Sequence, residues 1–155
     1  MLKDIQPQKQ LKILLVGDAC TDIYVFGTCE RLSPEAPVPV FVKETEEKRP
    51  GMSLNVKNNL ESFGCKIVSF HNKVEITKTR IVDKKFNQHL IRIDKEPAVE
   101  RINLSKFDKE FASKFDALIV SDYNKGFLFH EDIEKITKIF YSLSIPIFAD
   151  TKKKD

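Results

Sequence analysis

The chain has 155 residues, of which 41% are hydrophobic and 32% charged, with a formal net charge of +3. That is the size of one compact domain with its own core. The weak basic balance, without a Lys/Arg stripe interleaved with aromatics, argues against a nucleic-acid partner. No stretch approaches the ~18 apolar residues of a membrane span.

Residues 1–10 are polar and lack the apolar centre of a signal peptide. They read as a flexible N-terminus ahead of one domain over 11–155. Cys20, Cys29 and Cys65 are an odd number without metal-ligand spacing, the pattern of a reduced, cytoplasmic chain. Cys20 and Cys65 flank apolar segments and read as small core residues. His71, His89 and His130 are scattered, so no metal site is expected.

Lys12–Gly17 is an apolar run closed by glycine, the pattern of a buried strand in a parallel sheet. Asp18 and Asp22 follow it. Arg31–Val40 contains Pro34, Pro37 and Pro39, which fix φ and remove backbone donors, so it reads as a stiff, extended connection. Val38–Lys43 reads as an edge strand, because Pro39 cannot donate to a ladder. Pro50-Gly51 reads as a turn that runs into a helix over Ser53–Phe63. Ser53 is the expected N-cap and Gly64 closes the helix.

Lys66–Phe70 is a second core strand. Glu75–Val82 and Gln88–Asp94 read as two strands of a hairpin around the turn-like Asp83–Asn87. With Val38–Lys43 they would form a small second sheet. Ser105–Phe115 reads as a helix, with Ser105 and Asp108 as a capping box and Phe107, Phe111 and Phe115 as core residues. Ala117–Ser121 is a buried strand, Glu131–Leu143 an amphipathic helix, and Ile145–Ala149 the following strand of a βαβ unit. Lys152–Lys154 reads as a solvated tail.

Acids end three of the core strands: Asp18 with Asp22 nearby, Asp122, and Asp150. In a parallel sheet these gather at one edge, where open α/β sheets bind ligands. Carboxylates there can accept hydrogen bonds from sugar hydroxyls or hold Mg²⁺ through water. Gly51 permits close backbone approach, and Asn55 in the first turn could reach a sugar hydroxyl. Lys78, Arg80 and Arg92 are candidates for a substrate phosphate, although exposed cations on strands are usually only solvated.

Gly17–Tyr24, Leu32–Val40, Gln88–Asp94, Ser121–Gly126 and Ala149–Lys152 occur in that order. Together they resemble the ribokinase-like (PfkB) carbohydrate kinases, above all the heptose-7-phosphate kinases that form the kinase half of bifunctional ADP-heptose synthase. The resemblance covers the chain from about Leu11 onward. It implies an α/β fold, a parallel-sheet αβα core with a small β lid (about 38–43 and 75–94) that often pairs with a second subunit. It implies that Asp22, Gly51 and Asn55 serve the sugar, and that Asp122, Lys125, Asp150 and Lys152 lie toward phosphate and nucleotide. ATP, with Mg²⁺, is the implied phosphoryl donor and a sugar phosphate the acceptor.

The chain departs from that pattern in three places. The family has two adjacent glycines where this chain has Gly51-Met52. Between Phe70 and Val74 it has a further segment with a helix. Its late Gly-Ala-Gly-Asp motif, which supplies the anion hole and general base, has no counterpart in these residues. Two readings follow from this. One is the sugar-binding half of a kinase, completed by another chain and binding ATP poorly alone. The other is a non-catalytic protein that binds a sugar phosphate or pairs with a kinase; outside both, the chain would be an unrelated structural domain.

Overall fold

The computed structural model describes residues 10–153. The expected flexible N-terminus, apart from Gln10, and Lys154 of the basic tail lie outside the described residues. Two four-stranded sheets organise the chain. The first contains β1 (Lys12–Gly17), β4 (Lys66–Phe70), β7 (Ala117–Asp122) and β8 (Ile147–Thr151) in the order β4-β1-β7-β8, all parallel. The second contains β2 (Ala19–Leu32), β3 (Pro39–Met52), β5 (Thr77–Asp83) and β6 (Gln88–Lys95) in the order β3-β2-β5-β6.

The core sheet is buried because its strands are apolar on both faces. Leu14 and Val16 of β1 and Leu118 and Val120 of β7 pack with Ile136 and Phe140 of α3 (His130–Ser142) and with Phe107, Ala112 and Phe115 around α2 (Lys109–Ala112). Strand alternation turns Ile13 and Leu15 to the opposite face, where α1 (Ser53–Ser62) contacts the sheet. The architecture is the expected αβα core with a small β lid.

The lid differs from expectation in extent. Ala19–Leu32, expected as a strand-end motif followed by a stiff connection, is one 14-residue strand. It pairs antiparallel with β3 and parallel with β5, so it lies inside the lid sheet. Asp22 therefore sits within β2 and not at the end of a core strand. The prolines occupy the Ser33–Val38 connection and the start of the edge strand β3, positions that need no ladder donor. Pro50 and Gly51 are not a turn; they continue β3 opposite Thr21 and Cys20. The β5–β6 hairpin forms as expected.

Three local expectations need correction. Ser53 does not cap α1; the cap position falls on Met52, and the Ser53 hydroxyl is buried without a partner. Helix α2 has only four residues, because the Asp108 side chain accepts from the Phe111 amide and starts the helix there, not at Ser105. Cys65 is only half-buried, whereas Cys20 is buried. At the other end of α1 the sequence reading holds: Gly64 adopts φ 81, and its amide and that of Cys65 donate to the Glu61 and Leu60 carbonyls.

Two buried side chains fix the lid on the core. The Asn72 amide oxygen accepts from the Ala19 amide at 2.7 Å, and its nitrogen donates to the Ala19 and Val74 carbonyls. Asn72 thus joins the points where β1 passes into β2 and β4 passes toward β5. Asp18 accepts from the amides of Tyr123, Lys125 and Phe127, and its carbonyl accepts from the Ser53 amide. Burial pushes the Asp18 carboxyl up, against the pull of these amides.

Candidate functional site

The lid closes over the carboxyl edge of the core sheet and leaves a cavity of about 460 Å³ at the junction. Strand alternation decides what lines it. Asp22 and Tyr24 of β2, Lys78 and Arg80 of β5 and Arg92 of β6 project into it from one face of the lid, with Arg49 of β3 opposite Asp22. Gly51, Met52, Asn55 and Tyr123 close the base. Six residues singled out in the sequence, Asp22, Gly51, Asn55, Lys78, Arg80 and Arg92, meet here.

Each cation in the cavity has an acid close by. Arg80 donates to Asp22 at 2.5 Å, in a pair whose side chains are only 19% and 20% exposed. Burial works against the Arg80 charge, but Asp22 outweighs it and holds the guanidinium above its ordinary value. Lys78 lies 3.3 Å from Glu96 and 3.7 Å from Asp94. Arg92 donates to Asp94 through Nε and Nη2, and Arg49 donates to Glu47. The guanidiniums of Arg49 and Arg80 also stand 4.9 and 5.1 Å from the Tyr24 ring centre. Cys20 lies at the base with its thiol pushed up to about 11 by burial and by the nearby Asp22 charge, which keeps it inert as a nucleophile.

Gly51 is required by this packing. A Cβ there would collide with the Asp22 carboxylate and with the Cys20 sulfur, 2.6 Å away. The strand carrying Gly51 can lie this close to Asp22 only without a side chain. Asn55 is exposed and makes no side-chain hydrogen bond among the described residues, so its amide is free to meet a ligand.

Of the four residues assigned by resemblance to the phosphate and nucleotide side, Asp122, Asp150 and Lys152 lie side by side at the β7–β8 end, where Asp150 pairs with Ser121 and the Lys152 amide donates to the Asp122 carbonyl, but the four side chains do not share one cavity. Asp122 is 1% exposed and is neutralised from within: Lys153 lies 3.1 Å away, the Thr151 hydroxyl donates to it at 2.7 Å, and so does the Asn124 amide. Lys125 pairs with Glu96 at 2.7 Å. Lys152 lies over the Tyr123 ring. Asp150 is exposed on β8 and borders a separate groove with Val56 and Phe148. No group of three or more His, Cys, Asp or Glu residues suited to a metal occurs among the described residues. No helix of the described residues is long and apolar enough to cross a membrane.

Tyr24, Arg49 and Tyr123 were not singled out in the sequence. Tyr24 and Arg49 become visible once β2 and β3 are known to pair in register, because both then share the Asp22 face. Tyr123 carries no such signal; it arrives through the loop after β7.

No family model matches the chain. It is 36% identical to the bifunctional protein HldE of Helicobacter acinonychis, in an alignment covering 93% of this chain and 38% of that protein. It is 32% identical to the HldE of Pectobacterium carotovorum, over 95% of this chain and 36% of that protein. The chain thus spans well under half the length of these curated relatives. The first alignment has 178 positions against 155 residues here, so the relative has positions that this chain lacks. Among solved structures, the carbohydrate kinase from Agrobacterium tumefaciens superposes with a TM-score of 0.51 at 14% identity, over 90% of this chain and 53% of that one. Phosphofructokinase-2 from Escherichia coli gives 0.56 at 9% identity, over 93% and 55%. By sequence the chain is a homologue of part of the bifunctional HldE proteins, and its fold is that of the solved carbohydrate kinase and phosphofructokinase-2.

Proposed function

We propose that this chain is the sugar-binding part of a PfkB-type carbohydrate kinase and takes a heptose-phosphate-like sugar in the cavity at the lid–core junction. The observation that carries this reading is the composition of that cavity. It combines hydroxyl-binding groups, Asp22 and Asn55, with four cations and the side chains of Met52 and Tyr123 at the base. A sugar phosphate presents hydroxyls, one dianionic end and C–H faces, and each meets its counterpart here. Because every cation already has an acid beside it, an incoming phosphate must compete with Glu47 and Asp94 for Arg49 and Arg92.

The family implies ATP and Mg²⁺, but the residues described do not form their cradle. Asp122 and Lys125 are engaged internally, and Asp150 faces a different groove. Phosphoryl transfer would therefore depend on polypeptide beyond these residues for a base and an anion hole. Ile91 and Ile93, exposed on the face of the lid that alternates with the cavity-lining residues, support a second copy of the chain as a partner. A reading without catalysis, in which the domain only binds the sugar phosphate or pairs with a kinase, is favoured by the internal neutralisation of Asp122.

The test is calorimetric titration of heptose 7-phosphate into the wild type and Asp22→Ala. Binding by the wild type with at least a tenfold loss in the variant is expected. Equal affinities would remove Asp22 from the site.

A further inference from the structure

We propose that Met52 is a specificity-determining residue of the cavity and sets the length of sugar phosphate that it accepts; this rests on the sugar-phosphate reading above. Met52 has φ 53 and ψ −129, a conformation that glycine adopts freely and that strains any residue with a Cβ. It also occupies the cap position of α1, where Ser, Thr, Asp or Asn would accept from the first turn, and its side chain caps nothing. On both counts methionine is a poor choice for the backbone. What its side chain does lies elsewhere: it is 7% exposed, packs with Cys20 and Ile76 against Val99 and Tyr123, and forms part of the cavity wall.

Filling the core alone would not require a cavity contact. The ladder supplies the reason for one. Met52 pairs with Ala19 at the base of the lid. The Asp22–Arg49 and Asp22–Lys78 pairs stand three residues further along β2, and Tyr24, Arg80 and Arg92 share a row five residues along. At ~3.3 Å per residue that outer row is ~17 Å from the Met52 row. Arg49 and Arg92 are the most accessible cations of the cavity, with side chains 59% and 57% exposed. A phosphate held by them pins one end of the ligand toward the outer rows. The other end then runs toward the base, where the Met52 side chain stands. With one end pinned, bulk at the other end discriminates by length. The unbranched thioether also offers an apolar surface to a C–H face of the sugar.

The experiment titrates ribose 5-phosphate and heptose 7-phosphate into the wild type, Met52→Gly, Met52→Ala and Met52→Leu, with thermal melts confirming that each is folded. Met52→Gly and Met52→Ala are expected to shift the ratio of the two affinities at least fivefold toward the heptose. Met52→Leu, which keeps the bulk, is expected to hold the wild-type ratio within twofold. An unchanged ratio in Met52→Gly, or a shift in Met52→Leu as large as in Met52→Gly, overturns the assignment. A shift in Met52→Gly without one in Met52→Ala also overturns it, by placing the effect in the backbone. If no protein of the set binds either sugar phosphate, the proposed function itself falls, and this inference with it. Wild-type binding with unchanged ratios removes the inference alone.

Discussion

At the scale of single residues, the site depends on Asp22. It accepts from Arg80 and would accept from sugar hydroxyls, so Asp22→Ala is expected to weaken sugar-phosphate binding by about 1.5–3 kcal/mol in calorimetry. Asp132 has the same chemistry in a structural role. Arg101 donates to both of its oxygens at 2.8 Å, and its carboxylate accepts from the Phe129 amide at the start of α3. Burial works against its charge, but these partners outweigh burial and hold the carboxyl below its ordinary 3.8. A carboxyl lowered by folding stabilises the protein above 3.8, and that contribution is lost as pH falls through the lowered value. Asp132→Asn should therefore destabilise the chain at neutral pH and lose less in acid than the wild type. The size is about 1–2 kcal/mol, discounted because Arg101 is 45% exposed. Urea titrations at pH 7 and pH 3 measure both; equal slopes with pH in the two proteins would count against the pair.

At the scale of elements, the close approach of β3 to β2 shapes the base of the cavity. Gly51→Ala would push its new methyl against Cys20 and Asp22, and so displace Asp22 from Arg80. A loss of about 1–3 kcal/mol in stability is expected, with at least tenfold weaker sugar-phosphate binding; a variant with wild-type melting and affinity would show that β3 yields easily. The lid has a second face. Where Asp22, Tyr24, Lys78, Arg80 and Arg92 point into the cavity, the alternate residues form two cross-strand rows, Ile23–Thr79–Ile93 and Val25–Ile81–Ile91. Ile91 and Ile93 are 57% and 54% exposed. A single sheet with apolar residues on its outer face calls for a cover. Sedimentation at tens of micromolar (roughly the range of a weak interface) is expected to show self-association that Ile91→Asp abolishes, and a clean monomer for the wild type would sink the idea.

At the scale of the whole molecule, the proposed function divides the candidate residues into two groups. Those proposed for the sugar share one cavity. Those assigned by resemblance to the nucleotide side are engaged by the chain's own contacts, chiefly Lys153 on Asp122. The residues also contain no Gly-x-Gly-Asp to supply a base, which is worth ~10²–10⁴-fold in rate. The purified chain is expected to show no ATP-dependent phosphorylation of heptose 7-phosphate above background. Robust turnover that disappears in Asp22→Ala would overturn this.

The amino-acid sequence by itself determined the core strands and the amphipathic α3, because short apolar runs and helical periodicity are local signals. Lys12–Gly17 and Lys66–Phe70 are read directly. The ordered motifs pointed to the heptose-kinase relatives that the sequence comparison found. The sequence also marked Asp22, Gly51, Asn55, Lys78 and Arg80, although it placed Asp22 at a core strand end. Only the tertiary structure decided that Ala19–Leu32 is one long strand, since its mixed, bulged pattern lacks clean alternation and its stability comes from two neighbouring strands. The same pairing brought Tyr24 and Arg49 to the site, because which side chains share a face depends on register, a property of two strands together. And only the folded chain showed Asp122 buried against Lys153, because a charge at a strand end looks the same in sequence whether it awaits a ligand or already has an internal partner.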